Sequence, residues 1–298
     1  MNNLRDRAKM ALAEAKACDS LLVTDPANVR YLTGFSGTSG CALITPRLRL
    51  FFTDSRYKLR AEKEVKGFNV RIVSRALLDG ACAYVKSKQI AMGNLGFEGK
   101  HLSYSQYLGL RRSLEKIKLK DAGDAVTNLR TIKTRNEIAS IRKAASIADA
   151  AFKKLRSMKV VGRSEREVAA ILEYTMKQNG SEKMPFEIIV ASGRRTAMPH
   201  AVTSGRIISK DELLLIDMGA SVDGYCCDVT RTFATGRLPE KLQSLYSTVQ
   251  EAQSMAIGVL KPGLALKEAD RLARDHISSA GHGKNFRHSL GHGVGLET

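Results

Sequence analysis

Residues 213–232 read LLLIDMGASVDGYCCDVTRT. Two apolar runs, 213–216 and 225–229, flank a polar centre containing glycine, which predicts two strands joined by a tight hairpin with its turn near Val222-Asp223-Gly224. Each strand carries one aspartate, Asp217 and Asp228. With Val222-Asp223 as the two-residue loop, these aspartates stand directly opposite each other. Facing carboxylates in a buried sheet repel and lose hydration unless one takes a proton or a cation lies between them. One or two divalent metal ions resolve that conflict; the alternative is an exposed hairpin with two solvated aspartates.

Upstream of the hairpin, Thr134-x-x-Glu137 has the form of a capping box, and Ile138, Ile141, Ala145, Ala148, Phe152 and Leu155 mark one face of a long amphipathic helix. Gly162 breaks it. Ser164-x-x-Glu167 caps a second helix ending at Asn179-Gly180. A strand-like run, PFEIIVASG (185–193), leads to Met198-Pro199-His200 and into the hairpin. Downstream the plan recurs. Leu238-Pro239 starts a helix with Leu242, Leu245, Val249, Ala252 and Val259 on one face, Lys261-Pro262-Gly263 breaks it, and another helix runs to Gly281. Gly162, Glu167 and Gly180 map onto Gly263, Glu268 and Gly281 at one constant offset of 101 residues. This points to an internal duplication, two helix-helix-strand halves with a site at their junction. The second half closes with HSLGHGVGLET (288–298), where His288 and His292 would share a face of an extended strand and glycines around His292 would admit a ligand. Neutral imidazole is an ordinary ligand for first-row metals.

Residues 20–124 alternate short strand-like runs (SLLVT, CALIT, RLFFT, FNVRIV, NLGFEG) with helical stretches over 55–65, 76–88 and 103–118, an α/β unit. The glycine-rich patch TGFSGTSG (33–40) lacks a nucleotide-loop pattern and reads as a turn between strands. Asp121-Ala122-Gly123-Asp124 marks a boundary, giving domains 1–123 and 124–298.

Composition narrows the function classes. A chain of 298 residues with 43% hydrophobic and 26% charged side chains suits a globular protein of two domains. No apolar run approaches the roughly 18 residues of a membrane span, and the first 20 residues carry scattered charges, so a cytoplasmic location without a membrane partner is expected. Five cysteines without CxxC spacing indicate neither a disulfide framework nor a zinc site. The net charge of +18 raises nucleic acid as a partner, but residues 1–124 hold 22 basic and 12 acidic side chains and the remainder 26 and 18. The excess is spread over both halves, so a generally basic surface is expected in place of a nucleic-acid face.

The paired aspartates eleven apart, the GHGxG histidine, the ASGRRTAMPH segment (191–200) and the duplicated plan together resemble the pita-bread metallopeptidases, which include methionine aminopeptidases, Xaa-Pro aminopeptidases, prolidases and creatinases. DPANVRYLTGFSG (25–37) and FFTDSRY (51–57) are similar to the creatinase/prolidase N-terminal domain, and LRTIKTRNEI (129–138) to the segment entering the catalytic domain. The fold this resemblance implies is an α/β N-terminal domain followed by an α+β pita-bread domain, its duplicated halves around a curved antiparallel sheet. The function it implies is a metal-dependent peptidase releasing the N-terminal residue from Xaa-Pro peptides, with an Xaa-Pro dipeptidase (prolidase) and a non-catalytic scaffold of this fold as alternatives. Asp217, Asp228 and His292 would be metal ligands, with Asp228 bridging two divalent ions, Mn2+ first and Co2+ or Zn2+ as alternatives. His200 and His288 would position substrate and stabilise the transition state while a metal-activated water attacks the scissile carbonyl. A homodimer is expected, with the substrate pocket completed in part by the neighbouring N-terminal domain. The family pattern continues after GHGxG with another histidine and two metal-binding glutamates, whereas the sequence stops at Thr298. Adding the 101-residue offset to His200 gives position 301, beside where that histidine belongs. Glu297 is assigned to neither glutamate, so a partial copy with poor turnover is expected.

Overall fold

The computed structural model describes residues 4–298, which divide into two compact units, the first extending to Asn136 and the second Glu137–Thr298. The first unit contains helix α1 (Leu4–Glu14), strand β1 (Ser20–Val23), helix α2 (Pro26–Thr33), strands β2 (Cys41–Ile44) and β3 (Arg49–Asp54), helix α3 (Lys58–Glu64), β4 (Asn69–Val73), α4 (Leu77–Ser87), β5 (Asn94–Phe97), α5 (Tyr104–Ser113), β6 (Lys118–Asp121) and α6 (Ala125–Leu129). Among the described residues the strands form one mixed sheet in the order β4-β3-β2-β1-β5-β6. Strand β1 is buried along its whole length because it lies centrally, antiparallel to β2 and parallel to β5.

The sequence reading anticipates neither α1 nor α2. The α2 signals are local: the Asp25 side chain accepts the amide of Asn28, Pro26 occupies the first turn, and Gly34 ends the helix at φ +83°. Helix α2 therefore stands between β1 and the glycine-rich segment. The helix expected over 103–118 stops at Ser113, and 118–121 is an edge strand parallel to β5. The first unit also runs past the expected boundary at residue 123. Ala125 and Val126 are buried, the Tyr31 hydroxyl donates to the Leu129 carbonyl at 3.2 Å, and Arg130 donates to Asn28 at 2.7 Å.

The second unit holds helices α7 (Arg135–Arg156) and α8 (Glu165–Gln178), strands β7 (Ile189–Ser192), β8 (Leu213–Met218), β9 (Ser221–Val222), β10 (Tyr225–Cys226) and β11 (Val229–Ala234), and helices α9 (Glu240–Val259) and α10 (Leu266–Ser279). Strand β8 is central in the antiparallel order β11-β8-β7. Its pleat sends Leu214, Ile216 and Met218 into the core with Leu172 and Met176 of α8 and Ala148 and Ala151 of α7. Leu213, Leu215 and Asp217 therefore occupy the opposite face. The Ser164 and Glu167 capping box forms as expected.

The duplication is visible in the backbone. Helix α10 begins and ends 101 residues after α8, and Gly162, Gly180, Gly263 and Gly281 all lie at positive φ between 83° and 96°. The expected face of α9 is buried only in part. Ala252 and Ala256 pack with Ala273 and Ile277 of α10, while Val249 remains half exposed.

Candidate metal centre

The turn of the hairpin is Asp223-Gly224, not Val222-Asp223. Tyr225 pairs with Val222, and φ is +52° at Asp223 and +80° at Gly224, as a two-residue primed turn demands. This shifts the expected register by two residues, so Asp217 pairs with Thr230. A shift of two preserves the face because side chains alternate with period two. Asp217 and Asp228 are thus diagonal neighbours on the face away from the helices.

Thr230, which sequence reasoning did not single out, donates its hydroxyl to Asp217 Oδ1 at 2.9 Å. Its signal was its place two residues after Asp228, on the same face. The Asp228 carboxyl is held above the usual aspartate range by burial first and by the negative charge of Asp217 second. His292 opposes that shift, with Nε2 3.4 Å from Asp228 Oδ2.

No strand forms around His292 among the described residues; the segment is lashed to the hairpin by the Cys226 amide, which donates to the Gly295 carbonyl at 2.6 Å. A Cβ at Gly291 or Gly293 would meet nothing within 4 Å, so neither glycine is required by a close approach. His288 is exposed, its ring edge-on to Phe286 at 4.9 Å and its carbonyl accepting from Arg274 at 2.9 Å. His200 is exposed in the loop after β7. The structure therefore sets Asp217 beside Asp228 and His292 against Asp228, and its polar contacts tie neither His200 nor His288 to them.

Two neighbouring carboxylates beside an imidazole, one of them held above its usual range by burial first and by the other's charge second, match a divalent cation in donor chemistry. Among the described residues, no group of three or more such side chains already converges as a metal cage.

Residues 139–298 match the profile of metallopeptidase family M24, and residues 5–132 match the creatinase/prolidase N-terminal domain. The chain belongs to metallopeptidase family M24. A structure of the Xaa-Pro dipeptidase from Bacillus anthracis is 39% identical and superposes with a TM-score of 0.92, covering 99% of this chain and 82% of its own. The Xaa-Pro dipeptidase of Pyrococcus furiosus is 37% identical over 286 residues, 95% of this chain and 80% of its own length. The X-Pro aminopeptidase structure from Thermotoga maritima is 33% identical with a TM-score of 0.86, covering 98% and 83%. The M24 chain thus has the pita-bread fold with a creatinase/prolidase-type first domain.

Proposed function

We propose that this M24 chain carries the apparatus of a metal-dependent peptidase that cleaves the bond between an N-terminal residue and proline, with Xaa-Pro dipeptides as its main substrates. The observation that carries the reading is the Asp217/Asp228 pair with His292 at 3.4 Å, in a chain 37–39% identical to proteins named Xaa-Pro dipeptidases. Longer Xaa-Pro peptides are the second reading, favoured by the likeness to the Thermotoga maritima aminopeptidase structure.

Asp217, Asp228 and His292 would hold the metal, with Mn2+ the first ion to test. A bound divalent cation supplies Lewis-acid polarisation of the scissile carbonyl and lowers the pKa of water. Thr230 fixes the Asp217 carboxylate by donating to Oδ1 and would hold it in place for a bound cation. His200 and His288 orient the peptide and donate to the oxygen that gains charge. Three protein donors would suffice for one catalytic ion, with a further position left for water. A homodimer accompanies this reading.

The test is release of proline from Ala-Pro and of alanine from Ala-Pro-Ala by the protein with Mn2+. Metal-dependent cleavage of Ala-Pro, faster than of the tripeptide and lost in Asp228→Asn, supports the proposal. Metal-independent cleavage, or full activity in Asp228→Asn, contradicts it; preference for the tripeptide selects the aminopeptidase reading.

A further inference from the structure

The loop that carries His200 leaves β7 at Ser192 and returns at Ser204, and both of its ends converge on one side chain. Glu165, in the first turn of α8, is fully buried. Its Oε1 accepts the amide and the hydroxyl of Ser192, each at 2.9 Å. Its Oε2 accepts the amide of Ser204 at 3.0 Å and the hydroxyl at 2.7 Å. Arg195 Nε donates to both oxygens at 3.2 Å, and the same guanidinium donates to the Val202 carbonyl. The backbone of α8 adds to the clasp: the Glu165 amide donates to Arg206 at 3.0 Å and the Arg166 amide to Ser204 at 3.1 Å. On the far side Arg206 donates to the Ser192 hydroxyl and pairs with both oxygens of Glu212 at 2.7 Å.

Residues 192, 195, 202 and 204 are therefore pinned, while Met198, Pro199 and His200 between them are exposed. A carboxylate needed only to complete a helix start would take its donors from α8 itself, as Glu167 does from Ser164. Glu165 takes side-chain and amide donors from both ends of one loop instead. We infer that Glu165 is a positioning residue for His200, setting the loop through Ser192, Arg195 and Ser204 so that the imidazole is presented in one orientation. Its effect on turnover rests on the peptidase reading above; its effect on the histidine does not.

The test follows the ring signals of the six histidines by NMR in the 298-residue chain, comparing wild type with Glu165→Gln, Ser204→Ala and, as a destabilised core control, Leu172→Val. Glu165→Gln places an amide NH2 against donors, and Ser204→Ala removes one hydroxyl with little risk to folding. The His200 ring signal should shift and broaden in Glu165→Gln, shift less in Ser204→Ala, and stay in place in Leu172→Val. The signal of His276, bonded to Glu251 on another helix pair, should not move. Glu165→Gln should also lower kcat for Ala-Pro about ten- to a hundredfold while Mn2+ affinity and KM hold. An unmoved His200 signal in both clasp variants, or an equal shift in Leu172→Val, overturns the inference. Absence of Xaa-Pro cleavage by the wild-type protein overturns the functional reading, and the ring signals still decide the clasp.

Discussion

The Asp228 carboxyl resists ionisation because it is partly buried and because Asp217 stands beside it. That conflict is a cost in the metal-free chain and an asset once a cation is present. Asp228→Asn should therefore raise the melting temperature of the metal-free protein while abolishing the rise that Mn2+ gives to wild type; calorimetric scans with and without metal check both signs. Glu165 behaves in the opposite way. Burial pushes its pKa up, but the hydroxyls and amides of Ser204 and Ser192 outweigh burial and hold it below the usual glutamate value. A folded pKa below the unfolded one means stabilisation that is present above pH 4.5 and lost as pH falls through the folded value. Glu165→Gln should cost about 2 kcal/mol at pH 7 by urea unfolding, and its gap from wild type should narrow below pH 4.5. Glu165 escapes a sequence reading because its neighbours Ser164 and Glu167 explain the helix start by themselves. Its partners lie 27 to 39 residues away.

Helix pairs α7/α8 and α9/α10 are joined and ended by the same device, a glycine at positive φ. Gly162 and Gly263 occupy equivalent places, and a Cβ at either would meet nothing within 4 Å, so only backbone conformation opposes a side chain there. Gly162→Ala and Gly263→Ala should each cost about 1–2 kcal/mol, and nearly equal amounts, by urea unfolding. Unequal losses would break the proposed equivalence of the halves. These elements were legible in sequence because the Ser164/Glu167 capping box of α8 and the terminal glycines act within one turn of chain. The hairpin register was not, since Asp-Gly admits a turn placed one residue earlier. What settles it is φ at Asp223 and Gly224, which composition does not display. The error left the chemistry intact because a two-residue slip returns Asp217 and Asp228 to one face.

At the scale of the whole chain, the two units are each built around their own core, and the proposed centre belongs to the second. No helix of the described residues is long and apolar enough to cross a membrane. The pairing of His292 with Asp228 was legible only as a coincidence of ligand types. It depends on the bond from Cys226 to Gly295, between residues 69 positions apart, and no local pattern encodes that. Hydrogen exchange with Mn2+ should therefore slow in β8, β11 and residues 287–298 together and leave β1 to β6 unchanged. A calorimetric Mn2+ titration of the chain and its Asp217→Asn, Asp228→Asn and His292→Ala variants tests directly whether these three side chains hold the cation. Wild type should bind, both aspartate variants should lose binding, and His292→Ala should weaken it at least about tenfold; wild-type affinity retained in Asp228→Asn would contradict a metal site there.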